Sequence, residues 1–187
     1  MKAVPLILMG LLVAAGAAFA EPESGHDYWL APTVGARTFD DKLDLERGVA
    51  LGLRVGLGLD RRFGLFMDYA QSDPDEKGST EVARVSSLRL MGVVRPVAAT
   101  IQPYLMGGFG GLLFHFGDTR DGAGSSASVG GGLEYAAMSR ARIFVEYSAE
   151  FYRIKMATYS STGQITSTSD AETDAVQSIT GGVSVGF

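Results

Sequence analysis

The chain has 187 residues, a formal charge of −5 from 16 Lys and Arg against 21 Asp and Glu, 25 glycines and no cysteine. The length suits one domain, and the missing cysteines remove disulfides, thiolate metal sites and thiol nucleophiles together. Mild acidity argues against nucleic acid as a partner, because that role calls for a basic patch.

At the amino-terminus, Lys2 is followed by an apolar run from Leu6 to Phe19, and Ala18-Phe19-Ala20 forms a small-x-small site before the polar Glu21-Pro22-Glu23-Ser24-Gly25. That is the three-part build of a secretory signal peptide. The apolar run is short for a membrane-spanning helix, and its downstream flank is acidic. Cleavage of residues 1–20 is therefore expected, leaving an exported domain over residues 21–187.

Eight segments then read as strands: Tyr28 to Arg37, Gly48 to Leu59, Gly64 to Gln71, Arg84 to Arg95, Ile101 to Phe114, Ser125 to Tyr135, Ala141 to Arg153 and Ala175 to Phe187. Most are near the roughly 9 to 11 residues that cross a bilayer as a tilted strand. The second is the clearest, with Val49, Leu51, Leu53, Val55, Leu57 and Leu59 alternating with Gly48, Ala50, Gly52, Arg54, Gly56 and Gly58. An amphipathic helix does not produce that period of two. The fifth segment is apolar on both phases, so its register stays open.

Connections alternate in length. Long acidic or Ser/Thr-rich ones run from Phe39 to Glu46, Ser72 to Ser79, Gly117 to Gly122 and Ile154 to Asp174, and short ones from Asp60 to Phe63, Pro96 to Thr100 and Ala136 to Arg140. This asymmetry predicts an all-β, eight-stranded, antiparallel up-and-down barrel with short periplasmic turns and longer external loops. An even strand number lets the last strand pair with the first, so no edge is left unsatisfied in lipid.

Charges sort by phase. Arg37, Arg54 and Arg89 share the inward phase with Asp68, Glu134, Glu146 and Glu150, whereas the lipid-facing phase carries almost no charge. Eight strands leave an interior just wide enough for side chains, so these seven are expected to pair as a lumen network. Inward glycines at 52, 56, 58, 130 and 132 would leave volume that pairing does not fill. Aromatics collect near strand ends, with Tyr28, Trp29, Tyr104, Tyr135 and Phe187 on one side and Tyr69, Phe114, Phe116, Phe151 and Tyr152 on the other. Two interfacial girdles are the expectation.

Other signals read more plainly. Val97 to Phe114 is uncharged and holds Gly107-x-x-x-Gly111, but Pro103 and four glycines speak against a membrane helix. His26 and His115 are the two histidines, neither with the second ligand a metal site needs. The acidic runs Asp73-Pro-Asp75-Glu76 and Asp170-Ala-Glu172-Thr-Asp174 match no defined calcium loop and read as solvated charge. No cofactor or metal is expected.

The final segment alternates Ile179, Gly181, Val183, Val185 and Phe187 with Ser178, Thr180, Gly182, Ser184 and Gly186. Together with the Pro103-Tyr104 and Gly132-Leu-Glu-Tyr135 strand ends, it makes the chain similar to small outer-membrane β-barrels. That family includes the OmpA transmembrane domain and the porin-family surface proteins. The resemblance covers residues 21–187. It implies residence in the outer membrane among lipid and lipopolysaccharide, with Ile179, Val183, Val185 and Phe187 forming the strand read by the barrel-assembly machinery after periplasmic chaperones deliver it. It also implies a non-enzymatic surface scaffold that displays four external loops to an outside ligand. A narrow pore or small-ligand conduit is the alternative. A lipid A-modifying enzyme is third, since His115-Phe-Gly117 lacks the nearby serine of the deacylase motif.

Overall fold

A computed structural model describes residues 27–40, 43–76, 83–97, 99–116, 120–159, 165–168 and 172–187. The expected signal peptide, its cleavage junction and His26 lie outside the described residues.

The strands are β1 (Asp27–Phe39), β2 (Gly48–Gly58), β3 (Phe63–Ser72), β4 (Ala83–Val94), β5 (Ile101–Phe116), β6 (Arg120–Ala136), β7 (Ala141–Tyr159), β8 (Ile165–Thr168) and β9 (Glu172–Gly186). Each of β1 to β7 pairs antiparallel with the next, β7 pairs with β9, and β9 pairs with β1. These eight strands close a barrel. The short β8 pairs with the upper end of β7, Ala157 opposite Thr168, outside the closed ring.

Alternation sets the two faces. On β2, Val49, Leu53 and Val55 are exposed at 68%, 39% and 51%, whereas Ala50 and Arg54 are buried. The same split runs round the barrel and gives an outward apolar belt that suits lipid. On β5 the lipid side takes Leu105, Phe109 and Leu113, and the lumen takes Tyr104, Met106, Leu112, Phe114 and Phe116.

Two expectations need correction. The connections of residues 117–122 and 154–174 are shorter than composition suggests, because Arg120 to Gly122 already belong to β6 and Ile154 to Tyr159 still belong to β7. Their ladder continues to Arg120 opposite Thr158. Backbone hydrogen bonds carry a strand on above the membrane after its apolar alternation has ended. The girdles are also smaller than expected. Tyr28, Tyr69, Tyr135, Phe151 and Phe187 face outward, but Tyr104, Phe114, Phe116 and Tyr152 are buried inside, and Trp29 packs with the inner cluster.

The inner glycines are occupied from their neighbours. A Cβ on Gly132 would lie 2.8 Å from the Glu146 Cβ, and one on Gly56 would strike the Trp29 indole, which is its cross-strand partner. Absent side chains at Gly56 and Gly132 let large ones lie flat across the strand, so the volume there is filled, whereas Gly58 lines a space that stays open at the short-turn end.

Candidate functional site

Strand register builds the centre of the lumen. Arg54 lies opposite Asp68 on β3, and Asp68 lies opposite Arg89 on β4, so three charges of alternating sign sit side by side. The Arg54 Nε donates to Asp68 Oδ1 at 3.0 Å, and the Arg89 Nη2 donates to Asp68 Oδ2. From the far wall Glu146 takes both Arg54 Nη atoms, Nη1 at 2.8 Å, and its Oε2 also accepts from the Tyr104 hydroxyl at 2.8 Å. Glu150 accepts from the Ser126 hydroxyl at 2.7 Å and stands 3.6 Å from Arg89 Nη1. Arg37 completes the layer, donating to Ser87 Oγ at 2.5 Å. The Arg54 guanidinium is also held between two rings, 5.0 Å from Phe66 and 5.1 Å from Phe144.

Five of the seven expected network charges therefore pair in mid-lumen, Arg54 and Arg89 against Asp68, Glu146 and Glu150, while Arg37 lies buried in the same layer but bonds to Ser87 and, among the described residues, to no carboxylate. Glu134 does not join them. It sits nearer the short turns, accepting from Arg142 Nη1 at 2.6 Å and from Arg95 Nε and Nη2 at 3.3 Å each. Arg95 and Arg142 escaped the sequence reading because they lie at strand ends. Yet their parity gives them away, since position 95 continues the inward series of Arg89, and position 142 shares its phase with Glu146 and Glu150.

Beyond the charge layer, toward the long loops, the lumen is apolar. Phe39, Val85, Leu112, Phe114, Phe116, Tyr152, Ile154 and Val176 form one buried cluster, with the Phe114 and Tyr152 rings 5.5 Å apart. Leu45 from the first long loop, 2% exposed, seals its top. Asp44 makes the turn that inserts it, in the left-handed region at φ 52°, which a short polar side chain tolerates. That loop is stitched to the next by Glu46 N donating to Asp75 O at 2.9 Å and by a bridge of Leu45 to Glu76.

The acidic loop residues are partly engaged. Asp73 accepts from Arg84 at 3.2 Å, and Glu76 from Arg120 at 2.8 Å, while the Arg120 guanidinium lies 4.3 Å above the Phe116 ring. Asp174 Oδ1 accepts from Ala175 N at 2.9 Å, and Asp170 lies outside the described residues. Among the described residues no group of three His, Cys, Asp or Glu converges as a metal site. His115 faces outward at the loop end, its Nδ1 2.5 Å from Asp121 Oδ1, with both side chains about half exposed.

Below the charge layer the lumen opens. A chamber of about 410 Å3, lined by Trp29, Phe66, Tyr104 and Phe144 with Arg54 at its floor, ends among Asp60, Arg61, Arg95, Arg140 and Arg142 at the short-turn rim. Within the charge layer lies a gap of about 10 Å3, roughly one water in size. At the rim, Asp60 Oδ1 accepts from Arg62 N at 2.6 Å and Phe63 N at 2.7 Å, which holds its carboxyl below the usual carboxylate range.

Several solved structures share this architecture. Neisserial surface protein A matches at a TM-score of 0.60 and 13% identity, covering 89% of this chain and all of that one. A major outer membrane protein from Thermus thermophilus gives 0.59 and 12%, covering 88% and 100%. The outer membrane protein OprG from Pseudomonas aeruginosa gives 0.56 and 13%, covering 88% and 96%. No curated protein matches the sequence. At such identities the likeness speaks to fold alone, and the sequence itself decides the family: the outer membrane protein beta-barrel domain model matches residues 6–187, and the chain belongs to that family.

Proposed function

We propose that the chain is a non-enzymatic, non-conducting scaffold of the outer membrane whose rigid wall presents the long connections to the outside. One observation carries this reading: the lumen is blocked twice in series, by an ion-paired layer around Arg54, Asp68, Arg89 and Glu146 and by the apolar cluster around Phe114 and Tyr152. A gap of about 10 Å3 in the first layer does not pass a hydrated ion. Rigid walls that hold loops in place suit recognition at those loops.

Planar-bilayer recordings of the refolded protein test it, and no sustained conductance is expected. Steady ion-selective channels would favour the conduit reading, for which the chamber of about 410 Å3 reaching Arg54 is the supporting feature. The pair of His115 with Asp121 is the feature an enzyme reading would start from. Turnover of lipid A by the purified barrel would establish that reading instead.

A further inference from the structure

The chamber at the short-turn end lies below the charge layer, shares Arg54, Tyr104, Phe66 and Phe144 with it, and has a lining divided by chemistry. We propose that it binds a small organic anion with an apolar body, a ring or short-chain carboxylate, entering from the periplasmic side. Its volume of about 410 Å3 falls in the range of small-molecule sites, which are largely apolar with a few convergent polar groups.

The inner wall takes the apolar body. Trp29 packs against Phe66 with ring centroids 5.7 Å apart, and Tyr104, Phe144 and Val93 complete a buried aromatic and aliphatic surface. The floor offers no onward path, because Arg54 is tied to Asp68 and Glu146.

The rim takes the anion. Arg61, Arg95, Arg140 and Arg142 line it against the side-chain carboxylates of Asp60 and Glu134. Asp60 is turned back onto the amides of its own turn, and Glu134 is shared by two guanidiniums. Each guanidinium has five N–H donors, so Arg95 and Arg142 keep donors for a second carboxylate after binding Glu134. Gln102 lines the same chamber, but its Oε1 is itself buried, so the anion-binding groups are the rim arginines.

The site carries its own reporter, since Trp29 is the one tryptophan of the sequence and stands in the wall. Folded protein in zwitterionic lipid vesicles is titrated at constant ionic strength with 3-phenylpropionate, its uncharged amide and 3-phenylpropylamine, following tryptophan emission. The carboxylate should give a saturable change at roughly millimolar concentration, as suits a ligand of this size. The amide should bind about tenfold more weakly and the amine not measurably, the scale of one charge-assisted hydrogen bond. Arg61→Gln with Arg142→Gln should reduce carboxylate affinity to that of the amide and leave the amide unchanged. Arg61→Gln alone, on an exposed turn, should give part of that loss and guards against misfolding of the double variant. Equal responses to all three probes, or no saturable response to the carboxylate, would overturn the proposal. The readout is independent of conductance, so it stands or falls separately from the scaffold reading.

Discussion

Arg54 and Glu146 are 92 positions apart in sequence and meet across the lumen, with the arginine Nη1 donating to the glutamate Oε2 at 2.8 Å. Both side chains are almost fully buried, Arg54 touching only the floor of the chamber, so each charge depends largely on the other and on Asp68 and Tyr104 for what water would have supplied. A buried pair of this kind adds little net stability over an apolar replacement, but removing one member leaves the other charge stranded.

Glu146→Gln is therefore expected to cost about 3 to 5 kcal/mol. The same change on an Arg54→Met background should cost clearly less, because no guanidinium is left without its carboxylate. Urea unfolding from lipid vesicles measures all four corners of the cycle. Additive losses would mean that the two side chains act independently.

Much of this arrangement was legible in the sequence, for a specific reason. A barrel strand has a period of two, so Arg54, Asp68 and Arg89 declare their face by parity alone, and the apolar belt declares the other. Parity does not give height along the barrel. Glu134 shares the inward phase with Glu146 but lies two residues nearer the short turns, opposite Phe144, where Arg95 and Arg142 reach it. Nor does residue type reveal face when both phases are apolar, which is why Phe114 on β5 reads as an interfacial ring; Tyr152 on β7 shares the inward parity of Glu146 and Glu150, and both rings lie in the buried upper cluster. Leu45 was hidden for a third reason, since two leucines, Leu43 and Leu45, in an acidic loop are too short a run to carry a periodic signal.

Depth in the membrane can be tested on β2. Leu53 is outward, between Pro32 and Tyr69 on the neighbouring strands, and Leu59 stands at the turn, 50% exposed. Leu53→Arg should cost about 2 to 4 kcal/mol and Leu59→Arg about 0 to 1 kcal/mol, following the fall in the penalty for charge from midplane to interface. Denaturant unfolding from vesicles gives both values. Equal penalties would place the lipid belt elsewhere.

The β2 to β3 turn has a predictable pH response. Asp60 accepts from the amides of Arg62 and Phe63, and these bonds hold its carboxyl below the usual range. A lowered folded-state value means that the ionised carboxylate favours the folded turn. That contribution is present above the unfolded value of about 3.9 and is lost as pH falls through the lower folded one. The Arg62 and Phe63 amide proton shifts should stay constant from neutral pH down to about 4 and then move. In Asp60→Ala both profiles should be flat, and movement beginning well above about pH 4 would contradict the assignment.

Phe187 stacks on Tyr28, with ring centroids 6.4 Å apart, and its amide donates to the Tyr28 carbonyl at 2.9 Å. The last residue of β9's run thus fastens the seam where the barrel closes on β1. Deleting Phe187 is expected to slow assembly while leaving export intact, and Tyr28→Ala should reproduce part of the delay by removing the stacked ring. Heat-modifiable mobility on cold gels of outer-membrane fractions measures the folded fraction over time. Normal folding without Phe187 would show that the seam closes without the terminal aromatic.

Two barriers in series predict that neither alone controls leakage. The charge layer holds a gap of about 10 Å3, and the apolar cluster lies between it and the long loops. Arg54→Ala with Glu146→Ala widens the first barrier, yet the second still presents a dry surface that an ion cannot cross without losing its water. Phe114→Ala thins the second, at a stability cost of about 3 to 5 kcal/mol for a lost core aromatic, but leaves the paired charges in place. Planar-bilayer recordings should therefore be silent for the unmutated barrel, for the charge-pair variant and for Phe114→Ala, and show leakage when all three substitutions are combined. Cold-gel mobility of each sample establishes that the barrel is folded before recording. Leakage from the charge-pair variant alone would mean that the Phe114 cluster is no barrier, and the scaffold reading would then rest on the charge layer by itself.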